Sequence, residues 1–392
     1  MFPKKEQSEK KKADCQKMDV KRRKMKKKLV VVMLAVCAVL AAGCGNKNNG
    51  VSAENGNDTE VYAEESDENQ EVFEREYNDQ GQVRSFLTGK WVDKEIGERR
   101  PVAVMLSNIE AAQPMCGVSA ADVVYEAPVE GEITRMMGIF EDYDDLEKIG
   151  SVRSCREYFL FYALEFDSIY AHYGQSSYAV EYLERDYVDN LSGLSGIGST
   201  VFYRTDDRKS PHNAFASADG IKEGIKRLNY RTEYRDTYAG KFQFAADNEI
   251  VDVGESKITY IAPGYYINKP WFEYNESDKL YYRFQYGDKQ IDEVTGEQLA
   301  FTNVILQYSD WETHDSSKYL AFDCHTEGYA LIFSNGTATE AHWVREGDQD
   351  DGVIRYYDIG LTHEIVLNQG KTMVCIIEDF INGKPNPNVE FH

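Results

Sequence analysis

Tyr329-Ala330-Leu331-Ile332-Phe333 is followed by Ser334-Asn335-Gly336 and, a few residues on, by Ala341-His342-Trp343-Val344. An Asn-Gly pair suits the left-handed backbone of a tight turn, and aromatic and β-branched residues suit a pleated, half-buried surface. The stretch therefore predicts two strands around a turn. The same signature recurs on both sides, over residues 258–262, 280–286, 304–308, 353–357, 364–367 and 373–377, with Gln369-Gly370 as another turn signal. Upstream of about residue 245 the texture changes. Residues 100–106, 133–140 and 168–173 read as strands, and residues 176–185 and 217–228 as helices. The expected fold class is α+β: an α/β domain over residues 85–245, then a mostly-β domain over residues 246–392. That length is enough for two cores. No internal repeat stands out.

Further out lies a different kind of sequence. Arg22, Arg23, Lys24, Lys26, Lys27 and Lys28 run into the apolar stretch 29–42, which ends Leu40-Ala41-Ala42-Gly43-Cys44. As a helix that stretch would cover about 21 Å, short of a hydrocarbon core about 30 Å thick. A basic head, a short apolar body and small residues before a cysteine make a lipoprotein signal over residues 1–43, with Cys44 as the lipidated residue. Met18 or Met25 could equally begin such a signal. Diacylglycerol supplies the two chains that hold a protein stably. Residues 44–84, rich in Asn, Gly, Glu, Asp and Ser, read as an acidic disordered tether with a span of about 35–40 Å. The expected location is the outer leaflet of the cell membrane, facing the wall.

The chain carries 67 acidic against 44 basic residues, a formal charge of −23, although its first 43 residues are basic. So acidic a surface argues against nucleic acid as a partner, since phosphates need Lys and Arg. It also argues against flat docking on anionic lipid. Tyrosine is abundant, with 27 residues; it suits a sugar-binding face, but buried rings in a β-rich core account for it more simply. Cys116, Cys155, Cys324 and Cys375 show no spacing that dictates pairing or binds zinc. No motif calls for a cofactor or a metal. The acidic run 348–352 lacks the acidic twelfth position of an EF-hand loop, where Ile359 stands.

Against this acidic background, cationic residues gather in two places. Ser154-Cys155-Arg156-Glu157 fits a capping box at a helix start, beside Arg153. Free N–H groups at such an end favour an anion. Arg204, Asp206, Arg208, His212 and Asn213 fall within ten residues. His172 ends a strand before Gly174, and Arg135 lies in or at the end of a neighbouring one. The expected site is an anion pocket built from Arg135, Arg153, Arg156, His172, Arg204, Asp206, Arg208, His212 and Asn213, with arginines forking onto carboxylate or phosphate. The competing reading has these arginines tie loops to the core. Glu126, Glu130 and Asp206 are the available acids or bases.

Taken in order, Arg100-Pro101-Val102-Ala103-Val104-Met105, Ala121-Asp122-Val123-Val124-Tyr125-Glu126, Glu130-Gly131-Glu132-Ile133-Thr134-Arg135, Ile149-Gly150-Ser151-Val152-Arg153-Ser154-Cys155-Arg156, Ala171-His172-Tyr173-Gly174 and Pro211-His212-Asn213 resemble the YerB-like lipoproteins of Gram-positive bacteria. Asn303-Val304-Ile305, Trp343 and Leu367-Asn368-Gln369-Gly370-Lys371-Thr372 carry the resemblance into the second half. It implies a two-domain lipoprotein and brings no reaction or ligand, because these domains are of unknown function. The chain departs from that pattern at Glu132, where glycine is usual, at Met115-Cys116, where a polar pair is common, and at Cys155, where a small residue is usual. The functional expectation is a lipid-anchored extracytoplasmic envelope protein. It would bind a cell-wall component or partner protein through an Arg/His cleft of the first domain. A binding role is favoured over an enzyme. The alternative is a hydrolase or transferase on a cell-wall glycan, peptide or phosphoryl substrate, using His212 or His172 with a carboxylate.

Overall fold

The apolar runs become the ten strands of one mixed sheet. The first half contributes β1 (Val102–Ser107), β2 (Val123–Pro128), β3 (Thr134–Phe140), β4 (Ile169–His172) and β5 (Asn190–Ser192). The second contributes β6 (Asn303–Ser309), β7 (Glu327–Ser334), β8 (Thr337–Glu346), β9 (Val353–Tyr357) and β10 (Thr372–Glu378). Across the sheet the order is β9-β8-β7-β6-β10-β2-β3-β1-β4-β5. The computed structural model describes residues 72–314, 318–347, 350–378, 380–381 and 384–392. The expected signal peptide, Cys44 and residues 44–71 of the expected tether lie outside the described residues.

The centre of the sheet explains the continuous apolar runs. β10 pairs in parallel with β6 on one side, Leu306 facing Cys375, and with β2 on the other, Cys375 facing Glu126. Parallel strands are covered on both faces and so lose the polar half of the alternation. Side chains still alternate between faces with period two. Val102, Val104 and Leu106 enter one core with Met373, Cys375 and Ile377, whereas Ala103 and Met105 enter the other with Val374 and Ile376. The first core is closed by helix α2 (Ala218–Leu228), through Ile221 and Ile225, and by a small antiparallel sheet including Trp271–Asn275 and Leu280–Gln285. The second is closed by helix α1 (Glu157–Leu164), buried along its whole length.

The hairpin β7–β8 turns as its sequence predicts: Ser334 faces Thr337, and Asn335 and Gly336 both have positive φ, 50° and 70°. Helix α2 is capped by Ser217, whose hydroxyl accepts from the Gly220 amide at 3.1 Å, and ends at left-handed Asn229.

One sheet runs through both sides of the expected division near residue 245, because β10 pairs with β2. Three expectations change. The chain as a whole is mostly β, and the helix expected over residues 176–185 is a 3₁₀ turn, Ser177–Ala179, followed by one short helix, Val180–Leu183. The expected tether runs into ordered structure before Arg84. The Phe73 amide donates to Asp236 O at 2.8 Å, and Val83–Arg84 pairs with Trp91–Val92, so its few apolar residues find partners outside the segment. The capping box does not form. Arg156 is the N-cap of α1 with no side-chain cap, because Ser154 Oγ donates to Tyr173 O and Glu157 is drawn inward to Ser176 and His314. Cys116, Cys155, Cys324 and Cys375 are all buried free thiols.

Candidate functional site

The segment after Gly150 crosses the carboxyl end of β1. The Ser107 amide donates to Ser151 O and the Arg153 amide to Met105 O, both at 2.9 Å. The Tyr173 amide in turn donates to Arg153 O, so Arg153 sits between the ends of β1 and β4. Gly174 follows at φ 93°, where a Cβ would meet Ser154 Oγ at 2.8 Å, which accounts for the glycine there. Strand Phe202–Arg204 pairs with Ala214–Ala216, and the loop between them returns His212 to the same rim.

Two arginines and a histidine converge. Arg153 Nη1 donates to Pro211 O at 3.3 Å. Arg204 Nη1 donates to Asn213 Oδ1 at 2.7 Å, its guanidinium lying 4.7 Å from the centre of the Tyr173 ring. His212 Nδ1 lies 3.4 Å from Ser107 Oγ. Behind them, buried Arg135 donates to Ser154 O. Burial, and then the charges of Arg156 and Arg153, hold Arg135 down to about 10. Burial and then Arg156 and Arg204 lower Arg153, and burial and then Arg153 lower His212. These groups feel one another as like charges. Among the described residues, Arg135, Arg153 and Arg204 make no ion pair, in a chain where acids outnumber bases.

The other expected members are spent elsewhere. Arg156 forks onto Glu130, with N–O distances of 2.7 and 2.6 Å. Arg208 donates to Ala112 O and Pro114 O, at 2.8 and 2.6 Å, and pairs with Glu293, tying down a loop. His172 is fully buried, its Nδ1 2.8 Å from Gly174 O and its Nε2 3.3 Å from Asn190 Oδ1. Asp206 is exposed on its loop and makes no ion pair among the described residues. Asn213 bridges Arg204 to Thr205 O and shapes the loop.

Two of the three expected acids, Glu130 and Glu126, are also committed. Glu126, fully buried, pairs with fully buried Arg283 at 2.6 Å, while its other oxygen accepts from Asn108, Thr134 and Asn268. Cys155 is inert, because burial pushes its thiol up to about 12. Among the described residues no three His, Cys, Asp or Glu side chains group to hold a metal, and no helix is long and apolar enough to cross a membrane. The residue that sequence reasoning missed is Ser107. Its signal is its place at the carboxyl end of a buried strand, where α/β sheets present ligand-facing groups.

Comparison with known proteins matches this architecture. Residues 87–231 match the N-terminal domain, and residues 259–374 the C-terminal domain, of a protein family of unknown function, DUF3048. YerB of Bacillus subtilis (strain 168), a protein named as a lipoprotein, is 33% identical over 268 residues, 67% of this chain and 78% of the relative. A crystal structure of the YerB protein from Bacillus subtilis aligns with a TM-score of 0.68 at 29% identity, covering 79% of this chain and 100% of that one.

Proposed function

The chain belongs to the YerB-like, DUF3048 family, and we propose that it is a lipid-anchored envelope protein that grips an anionic group of a cell-wall component or partner protein. The anchor is Cys44 at the outer leaflet, and the grip is the rim of Arg153, Arg204 and His212. One observation carries this reading: in an acidic chain, three arginines lie together that make no ion pair among the described residues. Arg153 and Arg204 keep donors free for a forked carboxylate or phosphate. Buried Arg135 adds charge from behind without touching the ligand. The site is thus smaller than the sequence-level pocket, with Arg156, Arg208 and His172 as its scaffold.

The test is titration of the full chain with purified wall fragments. Arg153→Ala with Arg204→Ala should weaken binding at least about tenfold, the worth of a charge-assisted hydrogen bond. Equal binding by variant and parent removes the anion site. The anchor is tested separately: Cys44→Ser should lose labelled palmitate and leave the membrane fraction.

The contact between Ser107 Oγ and His212 Nδ1 favours a second reading, a hydrolase or transferase with Ser107 as nucleophile and His212 as base. Under it, His212→Ala abolishes turnover of wall fragments and leaves their binding intact.

A further inference from the structure

β6, β10 and β2 run parallel and end together, Ser309 beside Glu378 and β2 closing at Pro128. Sheets of this kind present ligand sites beyond the carboxyl ends of their strands. A cavity of about 550 Å³ lies there, a volume within the range of small-molecule sites. It is separate from the Arg153 rim, sharing none of its residues.

Two kinds of wall face it. Val129, Tyr265, Trp311 and Leu320 supply apolar and aromatic surface. Tyr265 is pinned by its hydroxyl, whose one proton is shared between Glu126 O and Ile376 O, 3.0 and 2.9 Å away, so this wall is set by the sheet itself. Trp311 is half-buried against the second core. Opposite in character are Glu132 and Glu378. Glu378 is half-buried and is pushed up by burial and then by the charge of Glu132. Neither carboxylate makes an ion pair among the described residues. Glu130 also lines the cavity, but Arg156 neutralises it. Lys318 lines it too, is exposed, and pairs with neither acid. Glu132 holds a left-handed backbone, φ 63°, directly after Gly131 at φ 78°. Glycine adopts that conformation without strain, so a glutamate there is strained.

We propose that this cavity binds a primary ammonium group on a short aliphatic stem, of the kind carried by a lysine or another diamino-acid side chain. Two carboxylates with no ion pair among the described residues disfavour an anion. They would hold the ammonium by charge-assisted hydrogen bonds. The methylenes would lie on Val129 and Leu320, and the indole and phenol rings add attraction for a cation. A neutral sugar would use the rings but would gain little from two acids that repel each other.

The experiment is calorimetric titration of the full chain with Nα-acetyl-lysine methylamide. Binding is expected, and Glu378→Gln should weaken it at least about tenfold. Glu132→Gly should weaken it as well while the melting temperature holds or rises, because the strain at φ 63° is relieved; this variant separates loss of the site from loss of the fold. The Nε-acetylated probe, which has lost the charge, should bind at least about tenfold more weakly than the amine. Arg153→Ala with Arg204→Ala should bind the amine as the parent does, which keeps this site distinct from the rim. The inference is overturned if the parent does not bind the amine, if Glu378→Gln and Glu132→Gly bind it unchanged, or if N-acetylglucosamine or the acetylated probe binds as well as the amine.

Discussion

Arg283 and Arg153 stand at opposite extremes of one chain. Arg283 is fully buried and meets Glu126, also fully buried, 157 positions away in sequence; Asn108, Thr134 and Asn268 satisfy the remaining carboxylate oxygen. Arg153 is half-exposed and meets a backbone carbonyl, two neighbouring arginines and, among the described residues, no acid. The difference comes from desolvation. A guanidinium taken wholly out of water is costly unless a counter-charge and hydrogen bonds surround it. One at a rim keeps part of its hydration and can leave its donors open. Arg283 therefore reports on how the halves are joined, and half-exposed Arg153 on what the surface receives.

The comparison breaks first where the charge is deepest. Arg283→Met leaves Glu126 buried and unpaired, and equilibrium urea unfolding should show a loss of about 3–5 kcal/mol. A loss under about 1 kcal/mol would mean that water or a rotamer change reaches Glu126, and the contrast with the rim would weaken. An intermediate case sharpens it. Arg156 is buried but Glu130 keeps 24% of its side-chain exposure, so the freed carboxylate can turn to solvent. Arg156→Ala should then cost about 1–3 kcal/mol, less than the Arg283 change. Arg153→Ala with Arg204→Ala removes no ion pair, and its unfolding free energy should stay within about 0.5 kcal/mol of the parent. A large loss there would make the rim arginines structural. The smallest effect is on a proton. Arg153 is one of the causes that lower His212, after burial. Nuclear magnetic resonance titration of the His212 ring should therefore give a higher pKa in Arg153→Ala than in the parent, since removing a neighbouring positive charge favours the imidazolium. No change would mean that the two side chains do not share a site in solution.

Much of the strand content was legible because it follows a local rule. Alternation and apolar runs located β7, β8 and β10, and Asn335-Gly336 located the turn between two of them. Helix α2 was legible through Ser217 at its start. Helix α1 was legible as a place but not as a cap, since Ser154 and Glu157 have better partners in Tyr173, Ser176 and His314, far along the chain. The early end of the tether was hidden for the same reason: Phe73 is ordered by Asp236. The candidate site was legible as a set of arginines and histidines in one half, and the set was too large. Arg208 looks no different from Arg204 in the sequence; only Glu293, 85 positions on, removes it.

The properties that each residue or short window carries alone can be read locally: the excess of acid, the basic head before an apolar run, the alternation that makes strands and the ordered motifs of the family. Which charges are cancelled depends on the assembled fold. Arg156 and Arg153 are three residues apart, yet one finds Glu130 and the other finds no acid among the described residues, because β2 and β3 bring Glu130 to the first and leave the second at the open end of β1. Coulomb energy depends on distance and on access to water, and both are set by the sheet that assembles the two halves.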